Sequence, residues 1–162
     1  MPTTVSSQYV IFRVGAEEFG LPISQVSSII RYEAATPVPR APEMVEGVIN
    51  LRGRVVPVVA LSRKLFGCDP TTTASTRIVI AESATGPVGL VVDAANEVAT
   101  ILDEDVRPTP DTALVAETAE AFRGVVQMEG RLVILLELDK ALPRADYAAT
   151  GPSEAGEDGT DV

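Results

Sequence analysis

The chain is written twice, and this limits its possible folds more than any other feature. EGVINLRGRVVPVVALSRKL (46–65) and RGVVQMEGRLVILLELDKAL (123–142) align at a constant offset of 77. Gly47 meets Gly124, Gly53 meets Gly130, Arg54 meets Arg131 and Leu61 meets Leu138. Upstream, YVIF (9–12) lies over IVIA (78–81) and GLPISQVSSI (20–29) over GLVVDAANEV (89–98), at an offset of 69. The second copy therefore has a longer middle, near Asp103–Ala121. Two copies of one small unit imply two similar lobes that bury their apolar faces against each other.

Each copy reads as a strand, a turn, a second strand, a short helix and a final hairpin that runs into another short helix. Gly15, Gly53, Gly86 and Gly130 mark the turns, and β-branched and aliphatic residues fill the strands between them. Many short strands with turn signals imply small barrels, so the fold class is all-β with short helices. The expected layout is a flexible N-terminus (1–7), a folded region (8–144) and a disordered acidic tail (145–162). Within the folded region, lobe one is expected over about 8–68, a polar linker over 69–76 and lobe two over about 77–144, each built mainly from one copy. Exchange of strands between the lobes stays open at this level.

The first hairpin raises a question of its own. Arg52 and Arg54 flank a tight turn, and the strand after it contains Pro57. A two-residue loop requires positive φ, which Gly53 tolerates. Proline donates no ladder hydrogen bond, so Val55–Val59 is expected to have an edge or a bulge at Pro57. VVPVV is apolar on both faces and must be covered. Val26, Ile29 and Ile30 stand at helical spacing, with Ala95 and Val98 as second-copy counterparts; most such stripes are core.

Composition narrows the chemistry. There is no histidine and one cysteine, Cys68, which removes the commonest general base and a Cys/His zinc site. No phosphate-cradling or nucleophile-elbow motif occurs, and no cofactor or metal is expected. A carboxylate enzyme using Asp93 and Glu97, or the acids around Glu104, is the alternative from another class. Formal net charge is −10, unevenly spread: residues 1–76 hold 6 acids and 7 bases, residues 77–144 hold 12 and 6, and the tail holds 5 acids and no base. That balance argues against nucleic acid and suits docking onto other proteins. No apolar run reaches the ~20 residues of a membrane span. MPTTVSSQYV lacks the order of a secretion signal, so the cytoplasm is the expected compartment.

EEFGLPISQVSSII, EMVEGVINLRGRVVPVVALSRKLF, GLVVDAANEV, VRPTP and FRGVVQMEGRLVILLELDKAL together resemble the CheW family of bacterial and archaeal chemotaxis coupling proteins. The resemblance runs from about Gln8 to Leu142, and the GVxNLRGxxxPV core (Gly47 to Val58) is its most specific part. It implies two five-stranded, SH3-like β-barrels around a common hydrophobic core, and no catalytic activity. It implies a scaffold that couples methyl-accepting chemoreceptors to the histidine kinase CheA, in the cytoplasm at membrane-associated receptor arrays. By the same resemblance Val26, Gly47, Arg52 and Val98 match receptor-binding positions. Val55, Val56 and Pro57 belong to the kinase-binding face, which docks the regulatory domain of CheA.

The residues alone read the Arg52 tip as a solvated turn; the resemblance makes it a docking residue. The second copy has Glu129 at that position, so the two tips are not interchangeable, whereas Arg54 and Arg131 agree and suggest a shared structural role. Departures from the family pattern are Ala60 and Ser62, where an Asp and an Arg are frequent, Ser28 in place of Glu, and Thr112 in place of an aromatic ring-contact residue. A CheW-like module serving a kinase outside motility is the alternative within the same fold.

Overall fold

A computed structural model of the chain describes residues 6–108 and 122–141. Among the described residues ten strands make two five-stranded sheets. In chain order they are β1 (Ser6–Val14), β2 (Glu17–Pro22), β3 (Val26–Arg31), β4 (Val45–Leu51), β5 (Arg54–Ala60), β6 (Arg77–Ser83), β7 (Gly86–Val92), β8 (Ala94–Leu102), β9 (Phe122–Met128) and β10 (Arg131–Leu136). Short helices α1 (Leu61–Phe66) and α2 (Leu138–Ala141) follow the two repeated hairpins, as the repeat predicts. The expected tail at 145–162, the first residues of the chain and Thr112 lie outside the described residues.

The sheets are not divided as the copies are. One sheet has the order β8-β1-β2-β10-β9 and the other β3-β6-β7-β5-β4. Each lobe is thus the first hairpin of one copy completed by the last three strands of the other. The expectation of lobes at 8–68 and 77–144, each from one copy, is corrected by this topology. The chain changes sheet at the 3-10 turn Ile23–Gln25 and again at Asp93. The physical reason lies in two parallel pairings, β2 with β10 and β5 with β7. Parallel strands need a long crossover between them: the whole other lobe lies between β2 and β10, and α1, the 67–76 connection and β6 lie between β5 and β7.

The exchange explains why the strands are apolar on both faces. One set of alternating residues fills each lobe: Tyr9, Ile11, Ile101, Val126, Val133 and Leu135 in the first, Ile49, Val56, Val58, Ile78, Ile80 and Val91 in the second. The other set meets in a shared seam, where Phe12, Phe19 and Leu21 pack with Val59, Val79, Leu90 and Leu136. A strand with both faces buried carries a continuous apolar run rather than alternation.

Two further expectations are settled here. The stripe Val26–Ile30 is not helical. It is strand β3, exposed and half-buried residues alternate along it, and only Ile23–Gln25 turns. Its counterparts Ala95 and Val98 lie on strand β8. β-branched residues favour the pleated surface, and tertiary pairing with β6 overrides the accidental i, i+3, i+4 spacing. Pro57 sits on a strand that is interior in sheet order, but the ladder to β7 begins only at Val58, so the missing donor falls outside it. The register shift in this hairpin is on β4, between Val45 and Gly47.

Candidate docking surfaces

The Arg52 tip is a two-residue turn with positive φ at both central residues, 55° at Arg52 and 86° at Gly53. That geometry matches the right-handed twist of the strands it joins. The Asn50 side-chain oxygen accepts a hydrogen bond from the Gly53 N–H at 2.9 Å, fixing the turn. Arg52 is exposed, and among the described residues its guanidinium has no hydrogen-bond or ion-pair partner. A rigid turn thus presents an unsatisfied planar donor, the group suited to bidentate recognition of a carboxylate or paired carbonyls.

Val26 and Val98 come to the two sheet edges that flank the seam. Val26 pairs with Ala81 and packs against the shared core. Val98 pairs with Val10, which lies on the same face of β1 as the seam residue Phe12, and is 51% exposed. Ile29 pairs with the seam residue Val79 and is also exposed, whereas Ile30 turns toward the interior of its own lobe. The pairing with β6, with its register shift between Val26 and Ser28, therefore sorts the stripe: Val26, Ile29 and Val98 border the seam, and Ile30 packs half-buried against the interior of its lobe.

Gly47 is buried beneath the chain's own connector. Its φ is 150°, and a Cβ there would overlap the Thr36 carbonyl oxygen. Thr36 and Val48 exchange backbone hydrogen bonds at 2.8 Å across this crossing. The close backbone approach that this glycine permits is thus made by the chain's own Thr36 and Pro37. The second copy repeats the device: Arg107 bridges Val125, and the Arg107 carbonyl lies over Gly124.

Of the three residues expected on a kinase-facing strand, Val55 is 50% exposed and Pro57 half-buried, but Val56 is 1% exposed and fills its lobe. Strand alternation leaves Val55 and Pro57 as surface residues and makes Val56 structural.

Two acids of the enzymatic alternative, Asp93 and Glu97, hold structural contacts, and the third group is exposed. Asp93 accepts the Gly15 N–H at 2.7 Å, and its own N–H donates to the Arg13 carbonyl, so it fastens the β1–β2 turn at the point where the chain changes sheet. Glu97 accepts from Arg131 at 3.1 Å, and Glu104 lies exposed on the 3-10 turn Asp103–Asp105. Among the described residues no group of three or more metal-ligating side chains gathers. Among them, too, no helix is long and apolar enough to cross a membrane.

Two networks were not legible in the sequence. Arg131 binds Glu18 at 3.0 Å and Glu97 at 3.1 Å, with Glu129 at 3.7 Å. Its hydrogen bond to Glu97 holds the guanidinium above its ordinary pKa, aided by the charges of Glu18 and Glu129. Arg54, at the same place in the first copy, reaches only Glu82, at 3.9 Å between exposed side chains. The equal residues therefore do unequal work, against the expectation of one shared role. In the second network Arg63 on α1 donates to Asp69 and to the Glu43 carbonyl, both at 2.9 Å, and approaches Glu46 at 4.0 Å. The Tyr32 hydroxyl donates to Glu46 at 3.1 Å, and desolvation, then the Glu46 charge, raises its pKa. Arg63 so ties α1 to β4 where the family pattern would place an ion pair at Ala60 and Ser62, both buried here. The repeat offers no signal for either network, because Glu18, Glu97 and Glu46 have no acidic counterpart in the other copy that would mark them as partners.

Against this geometry stand three comparisons. The CheW-like domain model matches residues 8–146. A protein named chemotaxis protein CheW from Rhizobium meliloti (strain 1021) is 41% identical over 147 residues, covering 91% of this chain and 94% of that protein. Its namesake from Klebsiella aerogenes is 31% identical, covering 90% and 87%. The crystal structure of scaffolding protein TtCheW from Thermoanaerobacter tengcongensis superposes with a TM-score of 0.77 at 27% identity, over 89% of this chain and 91% of that one.

Proposed function

The chain belongs to the CheW-like domain family and acts as an adaptor in chemotaxis signalling, and on that premise we propose that it joins a chemoreceptor tip to the regulatory domain of the kinase CheA without catalysing a reaction. The observation that carries this reading is the Arg52 tip, a fixed turn whose guanidinium has no partner among the described residues, beside an exposed Val55. Arg52 together with Val26, Ile29 and Val98 at the seam forms the receptor side. An amphipathic helix lays its apolar stripe into such a groove, and an arginine at the rim fixes its register. Val55 and Pro57 form the kinase side. The adaptor works in the cytoplasm, at receptor arrays.

Val98→Asp is the cleanest test, because Val98 is half-exposed and Val26 packs against the shared core. A carboxylate buried against apolar helix residues costs several kcal/mol unless paired, about 2 kcal/mol or more at an interface. Receptor binding falls at least tenfold while kinase binding and the circular dichroism spectrum stay unchanged. Loss of kinase binding alone reverses the assignment of the two surfaces. Unchanged affinity for both removes Val98 from the docking surface.

A further inference from the structure

At the end of the β3–β6 ladder, Arg31 and Arg77 are direct cross-strand partners. Like charges directly opposite destabilise a sheet, and this chain has acids to spare, with a formal net charge of −10. Yet among the described residues neither arginine makes an ion pair. Beside them lies a cleft of about 380 Å³ lined by both arginines, Tyr32, Thr72, Thr73 and Thr76. The cleft is braced from below. Arg77 donates through one nitrogen, Nη1, to the Ala74 and Thr76 carbonyls at 2.9 and 3.0 Å, leaving its other nitrogens uncommitted. The Thr73 N–H donates to the buried Thr76 hydroxyl at 2.8 Å, which in turn donates to the Thr71 carbonyl at 3.4 Å, and the Ser75 N–H donates to the Thr73 hydroxyl at 3.1 Å, which sets the loop between the two copies. The nearest acid bonded to a lining residue is Glu46, which accepts from Tyr32 and is faced by Arg63.

We propose that this cleft binds a phosphate-bearing small molecule, the dianionic head held between Arg31 and Arg77 with the Thr72 and Thr73 hydroxyls beside it. Two guanidiniums and hydroxyl donors match the geometry and charge of a phosphate, and a dianion relieves the repulsion that the register builds in. The cleft exceeds what one phosphate ion fills, and Tyr32 forms part of its wall, so a phosphate monoester with a flat organic body fits as well as the free ion. The site lies at the junction of the copies and is independent of the adaptor reading.

The test titrates the isotope-labelled full chain with inorganic phosphate and, separately, with adenosine monophosphate, at constant ionic strength in chloride, and follows backbone amide resonances. Saturable shifts are expected at Tyr32, Thr72, Thr73 and Arg77. Saturation by the nucleotide at lower concentration identifies a monoester; equal saturation identifies free phosphate; both sustain the site. Arg31→Ala, which removes no described hydrogen bond, weakens binding at least about tenfold with the remaining spectrum unchanged. Shifts that stay linear for both probes, or an Arg31→Ala chain that binds as tightly as the parent, overturn the proposal.

Discussion

The tips of the two repeated hairpins share a backbone and differ in what their side chains do. Arg52-Gly53 and Glu129-Gly130 have φ values of 55° and 86° against 52° and 78°. Each is followed by an arginine, then by a half-exposed aliphatic, Val55 at 50% and Leu132 at 53%. In the first hairpin the arginines are free or loosely paired. In the second, Arg131 is held by Glu18 and Glu97, with Glu129 close by. Duplication preserved the turn, which is a backbone requirement. The charges differ: among the described residues Arg52 has no partner, while Arg131 is fastened to its own lobe.

The largest expected effect lies beneath the tips, where the two halves should still agree. Gly47→Ala forces a side chain onto the Thr36 carbonyl at a φ that L-residues avoid, and should destabilise by about 3 kcal/mol in urea unfolding. Gly124→Ala meets the Arg107 carbonyl at 2.7 Å and the movable Val106 side chain at 2.8 Å, and should cost about 2 kcal/mol. If either is neutral, the strand crossings do not close the lobes as described.

The next effect separates the halves. Arg131→Ala leaves Glu18 and Glu97 without their shared cation and one buried Glu18 oxygen still unpartnered. All three side chains are partly exposed, so the loss in urea unfolding should be modest but clearly larger than that of Arg54→Ala. Arg54→Ala, whose pair with Glu82 is solvent-screened, should cost under about 0.5 kcal/mol. Equal losses in the two variants would contradict the unequal roles assigned to these arginines.

How far the sequence reached follows from the same contrast. The turns, the strand content and the small helices were readable because Gly53, Gly130 and the apolar runs impose local geometry. The pairing of copies was not, since two copies with one hydrophobic pattern satisfy either partner equally. Val26–Ile30 looked helical because Val, Ile and Ile happen to fall at i, i+3 and i+4; their β-branched character was the better signal. Gly47 stands out in the repeat, but the backbone that crosses it is Thr36, eleven positions earlier along a proline-rich connector, and only the fold brings them together. The Arg131 cluster joins three strands that the sequence does not order.

The most direct test of the adaptor account is the affinity of Arg52→Glu for both partners, measured by calorimetry with a chemoreceptor cytoplasmic fragment and with the kinase regulatory domain. Because Arg52 is exposed and without a described partner, the substitution should change folding stability by no more than about 0.5 kcal/mol. The account predicts that receptor binding weakens by about 2 kcal/mol, roughly thirtyfold, with kinase binding retained. Unchanged affinity for both partners in a normally folded chain would contradict it and return the tip to an ordinary solvated turn.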